Sequence, residues 1–577
     1  MKKIKRKKVS KDQLSWGGDL HPVLKRIYAS RGVTSREGLE RELKHLIPFQ
    51  QLSHIEQAAN LLAEAISQQK RILIVGDFDA DGATSCALAI RALKAFGAKQ
   101  VEYLVPNRFD FGYGLTPELV EVAKQQSPDL IITVDNGIAN NDGVDAAKAA
   151  GISVLITDHH LPPEVLPNAD VIVNPNLHED VFPSKSLAGV GVIFYVMLAL
   201  RSVLRDQQWF QKHSIAEPNM ATFLDLVALG TVADVVPLDK NNRVLVYQGL
   251  RRIRAGHAAP GILSLLELSG RELKNLTATD LAFAVAPRLN AAGRMDDMSL
   301  GIECLLSESE MSARDMAASL DQLNQDRRAV EEEMKTQAFD DLSRMNFTLN
   351  KNLPRGLCFY DSAWHQGVIG ILASRLKEKC HRPVVAFAKI DGGELKGSAR
   401  SISGCHIRDV LADIDRQHPG MIKKFGGHAM AAGLTLLESQ YDAFKQAFAQ
   451  AVSRVLREED LEEMIETDGE LSSGDLSLQF AELLQAAGPW GQGFPEPIFD
   501  GKFRLLSQRL LGNKHLKMVV SPMNEHRPID AIAFNVDVKR WPNDRCQWAH
   551  VTYRLDVNEY QGRRTPQLIV EELQTGS

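Results

Sequence analysis

Arg71-Ile-Leu-Ile-Val-Gly-Asp77-Phe-Asp79-Ala-Asp81-Gly82 is an apolar run that breaks abruptly into acid. The same grammar returns at Leu130-Ile-Ile-Thr-Val-Asp135-Asn136-Gly137 and at Val154-Leu-Ile-Thr-Asp158-His159-His160. Runs of about five β-branched and aliphatic residues are the pattern of strands buried on both faces of a parallel sheet, and ligands of such sheets collect just beyond the carboxyl ends of the strands. Five Asp and two His therefore converge in one crevice. A single Asp after a strand is ordinarily a turn former or a helix cap; three such stretches in the same setting point to chemistry. Carboxylates this dense repel one another unless cations neutralise them, which predicts a pair of divalent ions bridged by shared Asp side chains.

Outward from these stretches, helix and strand patterns alternate from about residue 51 to 200, which predicts βαβ units and a parallel sheet. A helical pattern then runs into Thr231-Val-Ala-Asp234-Val-Val-Pro-Leu, where Asp234 repeats the apolar-then-acid signal. Helical spacing dominates to about residue 346, with a charged stretch at 309–345 that predicts a solvent-exposed linking helix. A second α/β unit begins near Leu357, and after Glu466 short, alternating, turn-bounded runs predict a small antiparallel barrel. The expected division is an N-terminal segment 1–50, a metal-binding catalytic domain 51–240, a helical connector 241–346, a substrate-binding α/β domain 347–460 and an oligonucleotide-binding barrel 461–577.

At 577 residues, 44% hydrophobic and 24% charged, the composition is that of a globular protein of three or four domains. No apolar run approaches the roughly 20 residues of a membrane span, so no membrane role is expected. The start, Met1-Lys-Lys-Ile-Lys-Arg-Lys-Lys-Val9, lacks the apolar stretch of a signal peptide and reads as a solvated, disordered tail. Cys86, Cys304, Cys358, Cys380, Cys405 and Cys546 form no CxxC pair, which favours a reducing cytoplasm and argues against zinc. With a net charge of −6, a nucleic-acid partner has to be held by a local basic groove.

Mixed carboxylate and imidazole ligands suit Mn²⁺ or Mg²⁺ better than zinc. Asp77, Asp79, Asp81, Asp135, His159 and Asp234 are assigned to two such ions, with Asp135 the favoured bridge. Asp79, Asp81, Asp135, His159 and His160 carry the chemistry, which two bridged divalent ions direct towards phosphodiester hydrolysis. His160 either meets the scissile phosphate or leaving oxygen, or only orients a neighbour. For substrate grip, the planar fork of arginine pairs with two phosphate oxygens at once. Arg108, Arg288, Arg294 and Arg400 with Ser398 are the candidates, alongside His428 and His365, the latter also readable as a helix cap. Gly397 would let backbone approach an anion. In the barrel, Lys514, Lys517, Trp541 and Arg554 combine charge with an aromatic, a surface able to track a single strand. Trp490, among turn formers, reads as a packing plug.

The ordered motifs DFDADG at 77, VDNG at 134, DHH at 158, ADVVPL at 233 and PRLNAAGRM at 287 together resemble the DHH phosphoesterase family. HQGVIG at 365, GSARS at 397 and GGHAMAAG at 426 are similar to motifs of its accessory DHHA1 domain. The resemblance covers nearly all of the chain after about residue 50. Smaller members open the first motif with His where this chain has Asp77, and the Asp resembles the branch of bacterial exonucleases that digest single-stranded DNA. The resemblance implies hydrolysis from the 5′ end to 5′-mononucleotides, a Ser398–Arg400 pocket for the terminal 5′-phosphate, and a role in DNA repair and recombination. It also implies a single-strand-binding protein and a helicase as partners; a monomer is expected. The alternative within the family is a phosphodiesterase of short oligonucleotides or cyclic dinucleotides, against which the extra barrel argues.

Overall fold

The computed structural model describes residues 2–575 except 11–13, 15, 17, 108–111, 345–352 and 524. It divides into two compact units, one of Arg6–Leu323 with Glu466–Ser577 and one of Met1–Lys5 with Asn324–Ile465.

In the larger unit five parallel strands lie in the order Val101–Leu104, Ile72–Gly76, Leu130–Val134, Ser153–Thr157, Val171–Val173. Successive side chains of a strand point to opposite faces; Ile72 and Ile74 accordingly join one core while Leu73 and Val75 join another. Helices Ile55–Ser67, Ala80–Ala95 and Gly189–Asp206 contribute to the first core, Pro117–Lys124 and Asn141–Ala149 to the second. Burial on both faces, worth about 1.5–3 kcal/mol for each large aliphatic side chain, is why the three central strands read as apolar runs, while the edge strand Val101–Leu104 exposes Glu102. The first strand in sequence sits between the second and third, so the order reverses there and a crevice opens past its carboxyl end. Asp77 and Asp135 follow the two strands that bracket that reversal.

The barrel closes in the order Phe499–Leu511, His515–Pro522, Ile529–Ala533, Arg563–Thr575, Trp548–Tyr560. The expectation of a purely antiparallel barrel is corrected at one pairing, Ile529–Ala533 with Arg563–Thr575, which is parallel. Trp490 packs as a plug: its indole donates to the Leu484 carbonyl at 3.0 Å, and it stacks on Phe494 at 5.2 Å. Tyr28, from the N-terminal helix Pro22–Ala29, stacks on both rings. Leu238 N donates to Gln492 O at 2.7 Å, tying the same turn to the metal-binding portion. The basic start is not a free tail over its whole length: Lys3–Arg6 is a strand, and Arg6 Nη2 donates to Asp500 at 2.8 Å.

The smaller unit holds a sheet ordered Lys424–Gly427, Ala431–Leu437, Glu394–Arg400, Val384–Ile390, Leu357–Asp361, parallel only between the last two. Its core gathers Phe387, Phe444 and Phe448. The helix Glu310–Arg344 matches the expected linking stretch, but its solvent exposure does not hold throughout. Asn324, Arg327 and Glu331 are buried, with Arg327 Nη1 donating to Glu331 at 2.7 Å and Arg375 Nε to the same carboxylate at 3.0 Å.

Candidate metal centre and strand-binding surfaces

Each acidic residue of the crevice is placed by its local backbone. Asp79 caps the helix Ala80–Ala95, accepting from Asp81 N at 2.9 Å and Gly82 N at 3.0 Å. Asp81, one turn in, accepts from Gly189 N at 2.6 Å and Val190 N at 3.0 Å, the opening amides of helix Gly189–Asp206. Asp135 has φ +62°, a left-handed value for a residue with a Cβ, and a Cβ on Gly189 would stand 2.7 Å from its Oδ1. Asp234 ends the helix Leu224–Ala233 as its cap residue.

These side chains meet. His159 Nε2 lies 3.0 Å from Asp135 Oδ1 and 3.5 Å from Asp234 Oδ2. Three overlapping sets each bring their ligand atoms within 4.8 Å of one another: Asp77, Asp79 and Asp135; Asp81, His159 and Asp234; Asp135, His159 and His160. Asp135 belongs to two of them, the position a bridging carboxylate requires. Asp158 is occupied otherwise: Oδ2 accepts from Ile138 N at 2.9 Å, and Oδ1 from His159 N at 2.7 Å and His160 N at 3.1 Å.

The electrostatics show what the cluster lacks. Burial first, then the charge of Asp79, pushes Asp81 up to about 7. Burial and the neighbouring carboxylates lift Asp135 and Asp234 well above the carboxylate range. Burial opposes the His160 cation, but the Asp158 hydrogen bond and surrounding acids outweigh it and raise His160 to about 9. Asp135 Oδ1 is buried and faces His159 Nε2 at 3.0 Å without a well-aligned hydrogen bond among the described residues. An all-oxygen and imidazole set with an orphaned buried carboxylate oxygen fits divalent cations such as Mn²⁺ and Mg²⁺.

Sequence reasoning missed the amides that build this site. Asn136 Nδ2 donates to the Val75 and Val134 carbonyls, locking the first strand to the third. Asn174 and Asn176 donate to the carbonyls of His160 and His159. Asn290 accepts from Ala80 N at 2.8 Å, and a Cβ on Gly293 would fall 1.8 Å from the Phe78 carbonyl, so the PRLNAAGRM helix lies against the first acidic loop. The Asn-Pro-Asn that follows the fifth strand was the visible signal.

The arginines divide. Arg288 is corrected as a substrate ligand: it is buried, with Nε donating to Asp321 Oδ1 at 2.7 Å and Nη1 to the Ala284 carbonyl. Arg294 is half-buried on the same helix, and Arg108 lies outside the described residues. Ser398 and Arg400 share one face of their strand, Arg400 Nη1 lying 3.1 Å from Ser398 Oγ. Burial alone depresses the Arg400 guanidinium, and no carboxylate pairs with it among the described residues. Gly370, beside the start of helix Ile369–Cys380, is so close that a Cβ would stand 3.0 Å from Arg400 Nη2. Gly397 serves packing instead of anion approach, since a Cβ there would meet Phe387 at 2.5 Å. His365 Nδ1 accepts from Gly367 N at 3.2 Å, a cap-like role, and His428 is exposed in the hairpin before Ala431–Leu437.

On the barrel, Trp541 is corrected: it is 7% exposed and sits in the core, with no face for a base. Arg554 pairs with Glu496 at 3.0 Å and Glu571 at 2.7 Å. Lys514 is exposed in the turn between the first two barrel strands. Lys517 lines an open cavity of about 880 Å³ with Arg509, Arg527, Tyr560 and Arg563. This cavity is lined from all five barrel strands, Lys517 standing on the second and Ile529, Asp530 and Ile532 on the third.

Three family models match the chain: the DHH family N-terminal domain over residues 71–231, the DHHA1 domain over 354–454 and the RecJ OB domain over 467–572. The chain is 54% identical to the single-stranded-DNA-specific exonuclease RecJ of Dickeya dadantii (strain 3937) over 96% of both chains. It is 53% identical to that of Escherichia coli (strain K12), again over 96% of both. The crystal structure of RecJ in complex with Mn²⁺ from Thermus thermophilus superposes with a TM-score of 0.78 at 29% identity, covering 98% of this chain and 77% of that one. The Mg²⁺ complex of the same protein gives 0.73 at 27% identity, covering 98% and 76%.

Proposed function

The chain belongs to the RecJ family of single-stranded-DNA-specific exonucleases, and on that premise we propose that it hydrolyses single-stranded DNA stepwise from the 5′ end, with Mn²⁺ or Mg²⁺ as cofactor. The observation that carries this reading is the sharing of Asp135 between two ligand sets at the sheet's switch point. Asp77 and Asp79 with Asp135 would hold one ion, and Asp81, His159 and Asp234 another, the two sets meeting where His159 Nε2 lies 3.0 Å from Asp135 Oδ1. When bound, the ions supply Lewis acidity that activates water and stabilises the attacking and leaving oxygens.

The chain's own groups do the rest. Water adds to phosphorus, the P–O3′ bond breaks, the terminal 5′-mononucleotide leaves with its 3′ oxygen taking a proton, and the shortened strand keeps a new 5′-phosphate. His160, held through Nδ1 by Asp158, keeps Nε2 for the scissile phosphate or leaving oxygen. Arg400 with Ser398 receives the terminal phosphate: a buried guanidinium without a carboxylate partner, beside a helix start, is built for an anion. Each turnover thus regenerates the end that this pocket recognises. The barrel grips the strand through Arg509, Lys517, Arg527 and Arg563 with Tyr560, which is 69% exposed and free to stack.

A single-strand-binding protein and a helicase as partners, a monomeric state, a cytoplasmic setting, the five-domain division and a part in repair and recombination complete the reading. Among the described residues no helix is long and apolar enough to cross a membrane. The test is degradation of end-labelled single- and double-stranded DNA with Mn²⁺, with Mg²⁺ and with EDTA. Metal-dependent release of 5′-mononucleotides from single strands supports the reading. Preference for di- or trinucleotides over long strands would replace it with the short-oligonucleotide alternative.

A further inference from the structure

Gly112 and Gly114 flank Tyr113 at φ +79° and +69°, left-handed values that glycine adopts freely. Asn140 Nδ2 donates to the Tyr113 carbonyl at 3.1 Å, and a Cβ on Gly114 would stand 2.4 Å from Asn140 Oδ1. The turn holds one side chain in one place. Its hydroxyl donates to the main-chain carbonyl of Asp135 at 3.2 Å and stands 3.4 Å from each ring nitrogen of His160. The ring meets His160 edge-on at 5.9 Å and Phe78 edge-on at 6.0 Å.

Two physical needs meet here. An imidazole tethered only through Nδ1 can still swivel about that bond; a hydroxyl 3.4 Å from both ring nitrogens restrains that motion. Asp135 sits at a left-handed φ of +62°, strained for a residue with a Cβ, and a donor on its carbonyl helps to hold that turn. A phenol does both while neutral, donating its one proton to the Asp135 carbonyl and turning its lone pairs to the imidazole, and adds no charge to a site crowded with carboxylates. We propose that Tyr113 is a positioning residue of the exonuclease reaction, restraining the His160 ring against swivel about its Asp158 bond and pinning the Asp135 turn without ligating an ion. The inference rests on reading this crevice as the hydrolytic centre.

The experiment uses the full chain with Mn²⁺ and 5′-phosphorylated single-stranded DNA, in steady state and in single turnover. Tyr113→Phe should lower kcat about tenfold with KM unchanged within about twofold, the pattern of a lost transition-state alignment. The Mn²⁺ concentration for half-activation and the thermal midpoint should stay in place, readouts that a merely structural role would move. Tyr113→Ala should fall about a further tenfold, so that the Phe variant counts as a partial rescue. In a His160→Gln background, adding Tyr113→Phe should cost less than about twofold, because coupled residues are not additive. Unchanged kcat, a rise in KM alone, a shifted Mn²⁺ midpoint or a fully multiplicative double variant would each overturn the proposal. Should the Ala variant fail to fold, the Phe variant decides. A wild-type chain without nuclease activity in the same assay would instead remove the functional reading beneath it.

Discussion

His160 Nδ1 lies 2.7 Å from Asp158 Oδ1, and that carboxylate is held from its other oxygen by Ile138 N. The pairing separates two histidines that are adjacent in sequence. His159 turns its Nε2 into the carboxylate cluster, while His160 is oriented by an Asp whose lone pairs are already committed. Burial alone would lift Asp158, but the His160 hydrogen bond and charge, with the backbone donors, hold it below the usual carboxylate range. The third acidic stretch therefore supplies one imidazole aimed into the carboxylate cluster and one tethered beside it.

Asp135→Ala should reduce hydrolysis by ~10³-fold or more, since it removes the carboxylate proposed to bridge the two ions. Affinity for single strands, measured with the variant by fluorescence anisotropy, should stay within about threefold, because phosphate contacts carry binding. Circular dichroism checks the fold first. Retained turnover in a folded variant would remove the bridged arrangement.

Chelated protein should lose thermal stability between about pH 6 and pH 8. Asp81 at about 7, and Asp135 and Asp234 raised well above the usual carboxylate range by burial and neighbouring carboxylates, bind protons in the folded state that the unfolded chain has released above about pH 4. Groups raised on folding stabilise at low pH and lose that contribution as pH climbs through their folded values. His160, raised to about 9, acts with the same sign. Scanning calorimetry in EDTA should show the midpoint falling across this window, and Mn²⁺ should make the slope shallower and raise the midpoint most at pH 8. A flat profile in EDTA would contradict the buried-charge account.

Arg400→Ala should slow digestion of 5′-phosphorylated strands more than 5′-hydroxyl strands, by a difference of about 1.5–3 kcal/mol, the worth of a hydrogen bond to a charged group. The comparison is kcat/KM on the two substrates at one salt concentration. Equal slowing would assign Arg400 to the strand in general and leave the terminal phosphate unread.

Arg509, Arg527 and Arg563, changed together to Gln, should weaken binding to a long single strand and flatten its salt dependence by about 2 in the log–log slope. Lys514, Lys517 and Arg554 changed together should do less, since Arg554 is engaged by two glutamates and Lys517 faces Asp530 at 3.3 Å. Equal slopes in both triple variants would take the grip away from this cavity.

The parallel sheet was legible because strands buried on both faces are written as unbroken aliphatic runs, and the metal site because each run ends in acid at the same end of its strand. Asp234 was legible by the same grammar, although it caps a helix. What stayed hidden depended on distant partners. Arg288 pairs with Asp321 and Arg554 with Glu496, positions whose proximity only the fold creates. Trp541 looked like a stacking surface because sequence separation from Arg540 and Arg554 says nothing about burial. The amides of Asn174, Asn176 and Asn290 hold carbonyls or accept a backbone N–H, work that an asparagine in a turn does not advertise.

The larger unit is discontinuous along the chain, with residues 324–465 lying between its two parts. Synthesis runs at about 5–20 residues per second, so the whole chain takes roughly 30–120 s to emerge. During much of that time the sheet with its acidic strand ends is already made, while Trp490 and Phe494, which stack with Tyr28, do not yet exist. The barrel cannot close until Arg563–Thr575 arrives to pair with both Ile529–Ala533 and Trp548–Tyr560. A ribosome-bound chain can thus assemble its reaction centre before it owns a finished grip on a strand. The closing strand of the barrel, Arg563–Thr575, is the last element of the chain to be made.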